Sequence, residues 1–572
     1  MSKMIRVDMT KGTVHYEPLN QELEAFGGRG LIAKILNDEV DPGCNPLEAE
    51  NKLIICTGLL AGTPAPTSGR ISIGSKSPLT GTIKEANAGG MAGYMLSRLG
   101  VKAIIVEGKS TDDGWFILKV GKDGAVLLPA GEYVGMRNYD LTEKMRTDFG
   151  EKVGVLSIGG AGERGYWNST IQITDTRGRP SRSAARGGLG AVMGSKGLKA
   201  VVLEESGPPE IPYHEKELFN TANKNYIAGI KAHPVSGEAM PALGTAVLIN
   251  IVNALGALPT NNFSAGNFGD AEKISGENLA KIQGERGGKE NQPCQPGCPI
   301  SCSNIYHDEN GRHLTSGFEY ETIALNGSNC GINDLDTIAM IDRMCDDFGL
   351  DTMETGTTIA VCMEAGKAKF GDGKAALGLV EEMIEGTELG KIMGNGTVFA
   401  GTKLGVKRIP VVKGQSIAAY DPRALKGTGV TYATSPMGAD HTAGNSILEQ
   451  SVTPTQKEGQ VQVSTNLQVG MATFDNLGMC IFSGFCTEDP ANIGYLLEMM
   501  SGRYGGEWDP DRLFTLGIKT LGLEKSFNSK AGFTEKDDAL PEFMYTEKLP
   551  PTGSVFDIGP EELSGAVPFK ED

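Results

Sequence analysis

The sequence has 572 residues, of which 39% are hydrophobic and 22% charged, and its formal net charge is −18. This length exceeds one ordinary domain and favours about three to four. The negative charge argues against nucleic acid and anionic membrane surfaces as partners, because both attract basic surfaces. The sequence contains no secretory or twin-arginine signal and no apolar run of about 18 residues, so a cytoplasmic protein outside the membrane is expected.

Residues 1–207 are predicted to form a β-rich domain. Alternating segments on either side of a Thr-Lys-Gly turn at residues 10–12 predict a hairpin. Apolar runs between turn residues predict further strands at 52–56, 71–74, 102–107, 115–120 and 153–158. A Ser-Gly-Pro-Pro stretch at 206–209 then marks the first domain boundary.

From residue 208 onward, the spacing of apolar residues becomes helical. Helices are predicted at 215–230, 337–348, 357–365, 377–385 and 493–501. A second boundary near residue 405 divides this part into domains 208–405 and 406–572. The predicted fold class is therefore α+β, with a β-rich N-terminal domain followed by two mainly α-helical domains.

Three cysteines lie close together in the segment N-Q-P-C-Q-P-G-C-P-I-S-C, namely Cys294, Cys298 and Cys302. A structural zinc site commonly uses two separate C-x2–4-C pairs. A radical enzyme that uses S-adenosylmethionine would need C-x3-C-x2-C, and the last gap here is one residue longer. Three thiolates with a remote fourth, Cys480, favour a [4Fe–4S] cluster, with the zinc and radical sites as the alternatives.

Two hexapeptides repeat one pattern, D-D-F-G-L-D at residues 346–351 and D-N-L-G-M-C at 475–480. In each, a carboxylate can accept paired N–H bonds from a heterocycle, and a glycine lets the backbone approach a ring. The alternative is two helix ends that share Asp and Gly by coincidence. The pair predicts two copies of one organic ligand beside the cluster, and hence a redox enzyme.

Glu319 and Glu321 directly precede an apolar run, and His441 lies in a glycine-flanked loop next to Asp440. A buried glutamate has a raised pKa that suits proton transfer, whereas a helix-start glutamate would only complement the helix dipole.

A glycine-rich strip spans residues 186–196. It lacks the Walker A order, because Ser195 precedes the lysine; it is either a packing turn or, with Arg182 and Arg186, a phosphate-binding loop.

With further motifs in order along nearly the whole chain, the sequence resembles the aldehyde:ferredoxin oxidoreductases, the tungsten bis-pterin family. The resemblance is carried by G-G-R-G-L (27–31), T-G-L-L-A-G-T-P-A-P-T-S-G-R (57–70), K-S-P-L-T-G-T-I-K-E-A-N-A-G-G (76–90), G-G-L-G-A-V-M-G-S-K (187–196), G-T-A-V-L-I-N (244–250), E-Y-E-T (319–322), G-I-N-D-L (331–335), both aspartate hexapeptides and A-Y-D-P-R (419–423).

The resemblance implies a tungsten, or molybdenum, atom held by two pterins without a protein ligand, a [4Fe–4S] cluster, and a Mg²⁺ that bridges the pterin phosphates. It places Arg70 between cluster and pterin, the Mg²⁺ at Asn87 and the Ser183 backbone beside Arg182, and proton handling at Glu321 and His441. The implied cluster ligands are Cys294, Cys298, Cys302 and Cys480. The implied pterin-binding residues are Asp346, Gly349, Leu350, Asp351, Asp475, Gly478 and Met479.

The implied activity is oxidation of an aldehyde to a carboxylic acid with water, with electrons passing through the cluster to ferredoxin or an iron–sulfur partner subunit. One alternative is a reductive member that acts on carboxylates or aromatic thioesters, although no basic cluster suited to coenzyme A stands out. A non-catalytic electron-transfer subunit is the other alternative, and the presence of Glu321 and His441 argues against it.

The sequence also departs from the family pattern. The cysteine spacing is C-x3-C-x3-C rather than the common C-x2-C-x3-C, so the loop must bulge while the number of thiolates stays the same. Residues 366–400 contain no histidine, which argues against the metal that bridges the dimer of some relatives, so a homodimer would lack it. Some relatives carry a lysine two residues after the position of His441. Here Ala443 stands at that position.

Overall fold

In the computed structural model of the protein, residues 3–111, 114–207 and 210–566 are described. The N-terminal region contains two six-stranded sheets. The first sheet consists of β1 (Lys3–Asp8), β2 (Thr13–Pro18), β3 (Leu53–Thr57), β4 (Ile71–Lys76), β5 (Ile83–Ala88) and β6 (Val101–Glu107). The second consists of β7 (Phe116–Gly121), β8 (Gly124–Pro129), β9 (Gly154–Ser157), β10 (Ile171–Ile173), β11 (Arg182–Ala184) and β12 (Leu198–Leu203).

The two sheets have the same topology. The strand order is β2-β1-β6-β3-β4-β5 in the first and, in the corresponding direction, β8-β7-β12-β9-β10-β11 in the second. Each sheet begins with a hairpin, and the first strand of the hairpin pairs in parallel with the strand of that sheet that comes last in the chain. The remaining neighbours pair antiparallel. The N-terminal region is therefore a structural duplication of about 100 residues, which the sequence analysis did not detect.

Helices make up most of the rest of the chain. In the N-terminal region they are α1 (Gln21–Glu24), α2 (Gly28–Glu39), α3 (Ala92–Arg98), α4 (Asn138–Phe149), α5 (Gly160–Glu163) and α6 (Leu189–Ser195). Beyond it they are α7 (Lys216–Ala232), α8 (Met240–Leu243), α9 (Leu248–Ala254), α10 (Gly276–Arg286), α11 (Tyr320–Asn326), α12 (Leu335–Phe348), α13 (Thr352–Glu364), α14 (Gly373–Glu385), α15 (Glu388–Gly394), α16 (Thr397–Leu404), α17 (Lys426–Thr434), α18 (Gln460–Leu477), α19 (Pro490–Tyr504), α20 (Pro510–Lys530), α21 (Phe543–Thr546) and α22 (Pro560–Leu563). Smaller sheets are formed by β13 (Lys289–Gln292), β14 (Ser303–His307) and β15 (His313–Ser316), and by β16 (Val411–Val412) and β17 (Gln415–Ser416).

The predicted α+β class is confirmed: two sheets come first and helices dominate the remainder. The predicted helix at 357–365 starts too late, since α13 begins at Thr352. The reason is local, because the Asp351 side chain accepts a bond from the Met353 N–H (2.9 Å) and so caps the helix start. Asp372 and Asp489 cap α14 and α19 in the same way and start them earlier than predicted.

The buried core does not divide at residue 405. One cluster of buried apolar side chains joins residues from both predicted helical domains, including Ile323, Ile341, Tyr432 and Phe556. A separate cluster fills the space between the two N-terminal sheets and includes Ile55 and Val201. The boundaries at 207 and 405 remain predictions.

One stretch, Val235–Ala254, is long and apolar enough by length and composition to cross a membrane, and 39% of its most apolar window is buried. Core helices of globular proteins pass the same test. The stretch is also irregular, because it changes between helix types and Gly244 has a φ of 61°.

Candidate functional site

Both aspartate hexapeptides adopt the same local structure. Helices α12 and α18 end at residues 348 and 477, and the following Gly349 and Gly478 have φ values of 82° and 74°, a left-handed conformation that favours glycine. Asp346 and Asp475 lie one turn earlier, and both are buried. The two motifs are therefore matching helix ends that place a carboxylate and a sharp turn at corresponding positions.

Each motif docks against one of the two N-terminal sheets. In the first, Leu350 forms a bridge with Ser169, and Thr170 donates to the carbonyl of Gly349 at 2.9 Å. These partners directly precede β10 of the second sheet. The duplication of the sheets thus continues in the helical region, where each half receives one motif.

The second motif docks on the loop before β4 of the first sheet. Leu59 and Leu60 donate to the carbonyls of Asn476 and Leu477 at 2.9 and 3.0 Å, and Arg70 donates to the Gly478 carbonyl at 3.3 Å. A side chain on Gly58 would collide with the Gly478 backbone. This close approach explains the glycine in the T-G-L-L segment.

The two aspartates differ in their neighbours. Asp475 accepts a bond from the fully buried Arg29 (3.3 Å), whose other nitrogens bind Glu524. Burial raises the pKa of Asp475 to about 6, against the opposing effect of Arg29. Burial also raises the pKa of Asp346 well above its usual range, and nearby Asp342 adds to the rise. Both carboxyls are thus desolvated groups that a hydrogen-bonding ligand would satisfy.

The cysteine loop lies against the second motif. Thr67 joins the two, because its hydroxyl accepts the Cys480 N–H (3.1 Å) and its carbonyl accepts the side-chain amide of Gln295 (2.9 Å). The loop turns sharply, with positive φ at Gly297 and Ser301. It brings the predicted cluster ligands Cys294, Cys298, Cys302 and Cys480 into one region.

Two half-buried arginines lie beside these cysteines. Arg182 donates to the Ser303 hydroxyl at 2.5 Å, and Arg70 donates to both the side chain and the backbone carbonyl of Asn87. A hydrogen bond from the Cys298 thiol, together with the charges of Arg182 and Arg70, lowers the pKa of Cys294 against the effect of burial. The same hydrogen bond raises the pKa of Cys298, and burial raises the pKa of Cys302 and of Cys480. Thiolate is the form that ligates metal.

Asn87 and Ser183 occupy equivalent positions in the two halves. Asn87 pairs with Ser72 across β4 and β5, and Ser183 pairs with Gln172 across β10 and β11. In each half the next residue is an alanine that ends the strand. Strands β5 and β11 contact each other, so Asn87 and Ser183 both lie on strands where the two halves of the duplication meet.

Glu321 and His441 form the third part of the site. Glu321 Oε1 lies 3.4 Å from His441 Nε2, and Glu321 Oε2 accepts the Ala419 N–H at 2.8 Å. Burial raises the pKa of Glu321, although His441 opposes the rise. Glu321 Oε1 and His441 Nδ1 are buried and have no hydrogen-bond partner among the described residues.

Two cations hold this pair in place: Lys84, which the sequence analysis left without a role, and Arg186, which it considered only for phosphate binding. Lys84 pairs with Asp440 at 2.6 Å, next to the histidine. Arg186 donates to the Ala439 carbonyl (2.7 Å) and lies 3.4 Å from Asp351 at the end of the first motif. The sequence signal for Lys84 and Arg186 was a charged residue within a glycine-rich or apolar run. The rest of the glycine-rich strip is a packing helix, where Gly190 and Gly194 allow close backbone contacts.

The arrangement contains unsatisfied polar atoms that fit bound groups. Besides Glu321 and His441, the Nε of Arg182 and the hydroxyl of Tyr432 are buried without a partner in the described part of the chain. Within the same residues, no three His, Cys, Asp or Glu side chains are placed to hold a single metal ion. The unsatisfied atoms are groups with which a bound ligand could form hydrogen bonds.

Comparison with known proteins identifies the family. Residues 4–205 match the family model "Aldehyde ferredoxin oxidoreductase, N-terminal domain", and residues 221–564 match "Aldehyde ferredoxin oxidoreductase, domains 2 & 3". The chain belongs to the aldehyde ferredoxin oxidoreductase family. The resemblance noted from its motifs is thereby confirmed.

Individual relatives extend this result. The chain is 33% identical over 574 residues to a tungsten-containing aldehyde ferredoxin oxidoreductase of Pyrococcus furiosus, with 96% of this chain and 92% of the relative covered. It is 27% identical to the WOR-like subunit of an aliphatic sulfonate oxidoreductase of the same organism, covering 100% and 92%. Its fold matches the BamBC active-site complex of benzoyl coenzyme A reductase, with a TM-score of 0.82, 21% identity, and 99% and 93% coverage.

Proposed function

We propose that this family member is a tungsten or molybdenum bis-pterin enzyme that oxidises aldehydes to carboxylic acids with water. The observation that carries the proposal is the partly buried Glu321–His441 pair at 3.4 Å, with one buried and unsatisfied atom on each side chain. Arg186 connects the loop of this pair to the end of the first aspartate motif. A proton acceptor and a hydrogen-bond donor are thereby held next to a ligand-binding turn.

The described residues fit the proposed groups. Asp346 and Asp475, with the turns at Gly349–Asp351 and Gly478–Met479, would each hold one pterin. Cys294, Cys298, Cys302 and Cys480 would hold the [4Fe–4S] cluster, with Arg70 between cluster and pterin. Asn87 and the Ser183 backbone would hold a Mg²⁺ beside Arg182, where the halves of the duplication meet. The bis-pterin metal, when bound, would supply the two-electron redox chemistry.

The chain's own residues would manage protons and orientation. Conversion of an aldehyde and water to an acid releases two electrons and two protons. Glu321 would accept a proton from water, and its raised pKa makes it a stronger base than an exposed glutamate. His441 would donate a hydrogen bond to the carbonyl oxygen as that oxygen gains negative charge. Electrons would leave through the cluster to ferredoxin or an iron–sulfur subunit.

Two features of the wider setting belong to the same proposal. The net charge of −18 favours a small-molecule substrate and a protein electron acceptor over nucleic acid, and the protein is expected in the cytoplasm. If it forms a homodimer, that dimer would assemble without a bridging metal, because residues 366–400 supply no histidine.

The test is anaerobic purification, measurement of tungsten, molybdenum and iron, and a panel of aldehydes assayed with a viologen dye. Dye reduction that depends on aldehyde, in protein with one tungsten or molybdenum per chain, would support the proposal. Loaded protein that reduces carboxylates or aromatic thioesters and oxidises no aldehyde would instead indicate the reductive alternative. A protein that contains iron but neither tungsten nor molybdenum, and that turns over no substrate, would indicate an electron-transfer subunit.

A further inference from the structure

A cavity of about 830 Å³ lies away from the candidate site, between α1, the start of β6 and the helices α19 and α20. None of the described residues assigned above to cluster, pterin, Mg²⁺ or proton transfer lines it. Its volume lies within the range of small-molecule sites in proteins, about 300–1,000 Å³.

Several hydrogen-bond donors that line the cavity have one acceptor or none. Lys102 Nζ donates once, to the Gly58 carbonyl at 2.9 Å, and Arg503 Nη1 donates to the Pro212 carbonyl at 2.5 Å. Neither cation has an ion-pair partner in the described chain. Arg503 Nε and Trp508 Nε1 are both buried, with no hydrogen-bond partner among the same residues. Buried donors of this kind cost free energy unless a ligand accepts from them.

The charge around the cavity favours an anion. Lys102, Arg503, Arg512 and Lys519 line it, although the chain as a whole is strongly acidic. Three glutamates stand at its exposed rim, and one of these, Glu22, is already paired with Lys34 at 2.8 Å. Burial lowers the pKa of Lys102 to about 8, and a neighbouring anion would favour its charged form.

Aromatic and apolar side chains supply the rest of the lining, including Phe26, Tyr504, Trp508 and Leu516. The Arg503 guanidinium lies over the Tyr504 ring at 4.6 Å, and the Arg512 guanidinium lies over the Trp508 ring at 4.1 Å. Such stacking fixes the guanidinium planes and leaves their edges free to bind carboxylate or phosphate.

We propose that this cavity binds an organic anion, a carboxylate or phosphate attached to an aromatic or similarly apolar body. The anionic group lies with Lys102, Arg503 and the indole N–H of Trp508, and the apolar body packs between the aromatic side chains. The inner wall includes Gly58 and Leu59, which also dock on the second aspartate motif, so one loop separates the two sites.

The test is titration calorimetry of the purified, cofactor-loaded protein with benzoate and phenyl phosphate. Saturable binding of at least one of these is expected. Inorganic phosphate lacks the apolar body and benzyl alcohol lacks the charge, so each should bind at least about tenfold more weakly. Which of the two anions binds more tightly distinguishes a carboxylate from a phosphate ligand.

Variants locate the binding. Arg503→Gln and Lys102→Met should each weaken affinity by roughly tenfold or more, the usual loss of a hydrogen bond to a charged group. Trp508→Phe keeps the ring and removes the N–H, and it should weaken affinity several-fold. Arg312→Gln is the matched control, because this arginine is exposed and distant in sequence and pairs with Asp308; it should change nothing.

Three results would overturn the proposal: no saturable binding of either organic anion, equal affinity for inorganic phosphate, or affinity unchanged in both Arg503→Gln and Lys102→Met. Benzoate can also bind where an acid product would leave the proposed active site. That binding would respond to His441→Asn and not to Arg503→Gln, so the two sites are distinguishable and the cavity can fail without the proposed function failing.

Discussion

Glu321 illustrates how the backbone prepares a side chain for proton transfer. It lies in the first turn of α11, where a glutamate commonly stabilises the helix dipole. Here one carboxylate oxygen accepts the Ala419 N–H, and the other faces His441 without a hydrogen bond. Glu319, two residues earlier, instead accepts from the Thr245 hydroxyl at 2.6 Å. Glu319 and Glu321 therefore have different surroundings, and of the two only Glu321 has a buried oxygen without a hydrogen bond at the proposed site.

The first prediction concerns this carboxylate. Glu321→Gln should lower the rate of aldehyde oxidation by at least about a hundredfold, the usual loss when a general base is removed. The substituted amide oxygen can still accept the Ala419 N–H, so metal and iron contents should stay the same. Dye-coupled rates measured together with metal analysis would check this.

Glu277→Gln is the matched control, because this exposed glutamate accepts a bond from the Asn250 side chain at 3.0 Å and an amide oxygen can keep that bond. His441→Asn should also slow the reaction, since the proposed donor to the carbonyl oxygen would be changed. Parental rates in both Glu321→Gln and His441→Asn would remove the pair from the mechanism.

The pH profile provides a second prediction. Burial raises the pKa of Glu321 above the ordinary value of 4.5, and a base acts only when it is deprotonated. The value of kcat/KM should therefore fall with decreasing pH, starting at a higher pH than an exposed glutamate would give. Glu321→Gln should lose this acidic limb, and a limb that persists unchanged in the variant would assign it to another group.

At the scale of elements, the two aspartate motifs are helix ends that each dock on one sheet. The helix stops because glycine takes a left-handed conformation, and the preceding turn holds a buried carboxyl. Docking depends mainly on backbone bonds, and Arg29, which Asp475 also accepts from, keeps its bonds to Glu524 when Asp475 is removed. The cost of burying the two aspartates is offset when a ligand binds, which is why ligand loss, not unfolding, is the expected result of their removal.

The third prediction follows from that argument. Asp346→Ala and Asp475→Ala should each yield folded protein that has lost pterin and metal together, because a metal chelated by two pterins is released when either leaves. Pterin quantification, metal analysis and thermal unfolding would check this. Asp347→Ala is the matched control: it removes a neighbouring carboxylate that faces Tyr139 and Arg137 and should retain both groups. Full retention in the Asp346 and Asp475 variants would reduce the motifs to structural turns.

The sequence predicted the elements better than their arrangement. Alternation and helical spacing identified seven of the strands, all in the N-terminal region, and the helices α7, α12, α13, α14 and α19, and missed the others. Side-chain caps such as Asp351 moved several helix starts. The duplication was missed because the halves share topology and little sequence. Arg29 and Lys84 were not assigned to the site, and Arg186 was considered only for phosphate binding. The reason is that their partners, Glu524, Asp440 and Asp351, are remote in sequence and are brought close only by folding.

At the scale of the whole molecule, the cysteine loop, the second motif and the first sheet meet at Thr67. The fourth prediction is that the chain holds one cluster of about four iron atoms, and that Cys298→Ala abolishes its spectroscopic signal. Electron transfer to ferredoxin should then be lost. Cys44→Ala, which changes a half-buried cysteine outside the loop, should leave iron content unaltered. Stoichiometric zinc in place of iron in the parent protein would contradict the assignment.

The two halves of the N-terminal region are alike, but the motifs that dock on them end differently. The first ends in Asp351, which faces Arg186, and the second ends in Cys480, which lies by the cysteine loop. On the proposed function, only the second motif ends in a cluster ligand, because its last residue is Cys480 where the first has Asp351. Only the second pterin would then lie beside the cluster, so electrons would leave the proposed metal site on that side.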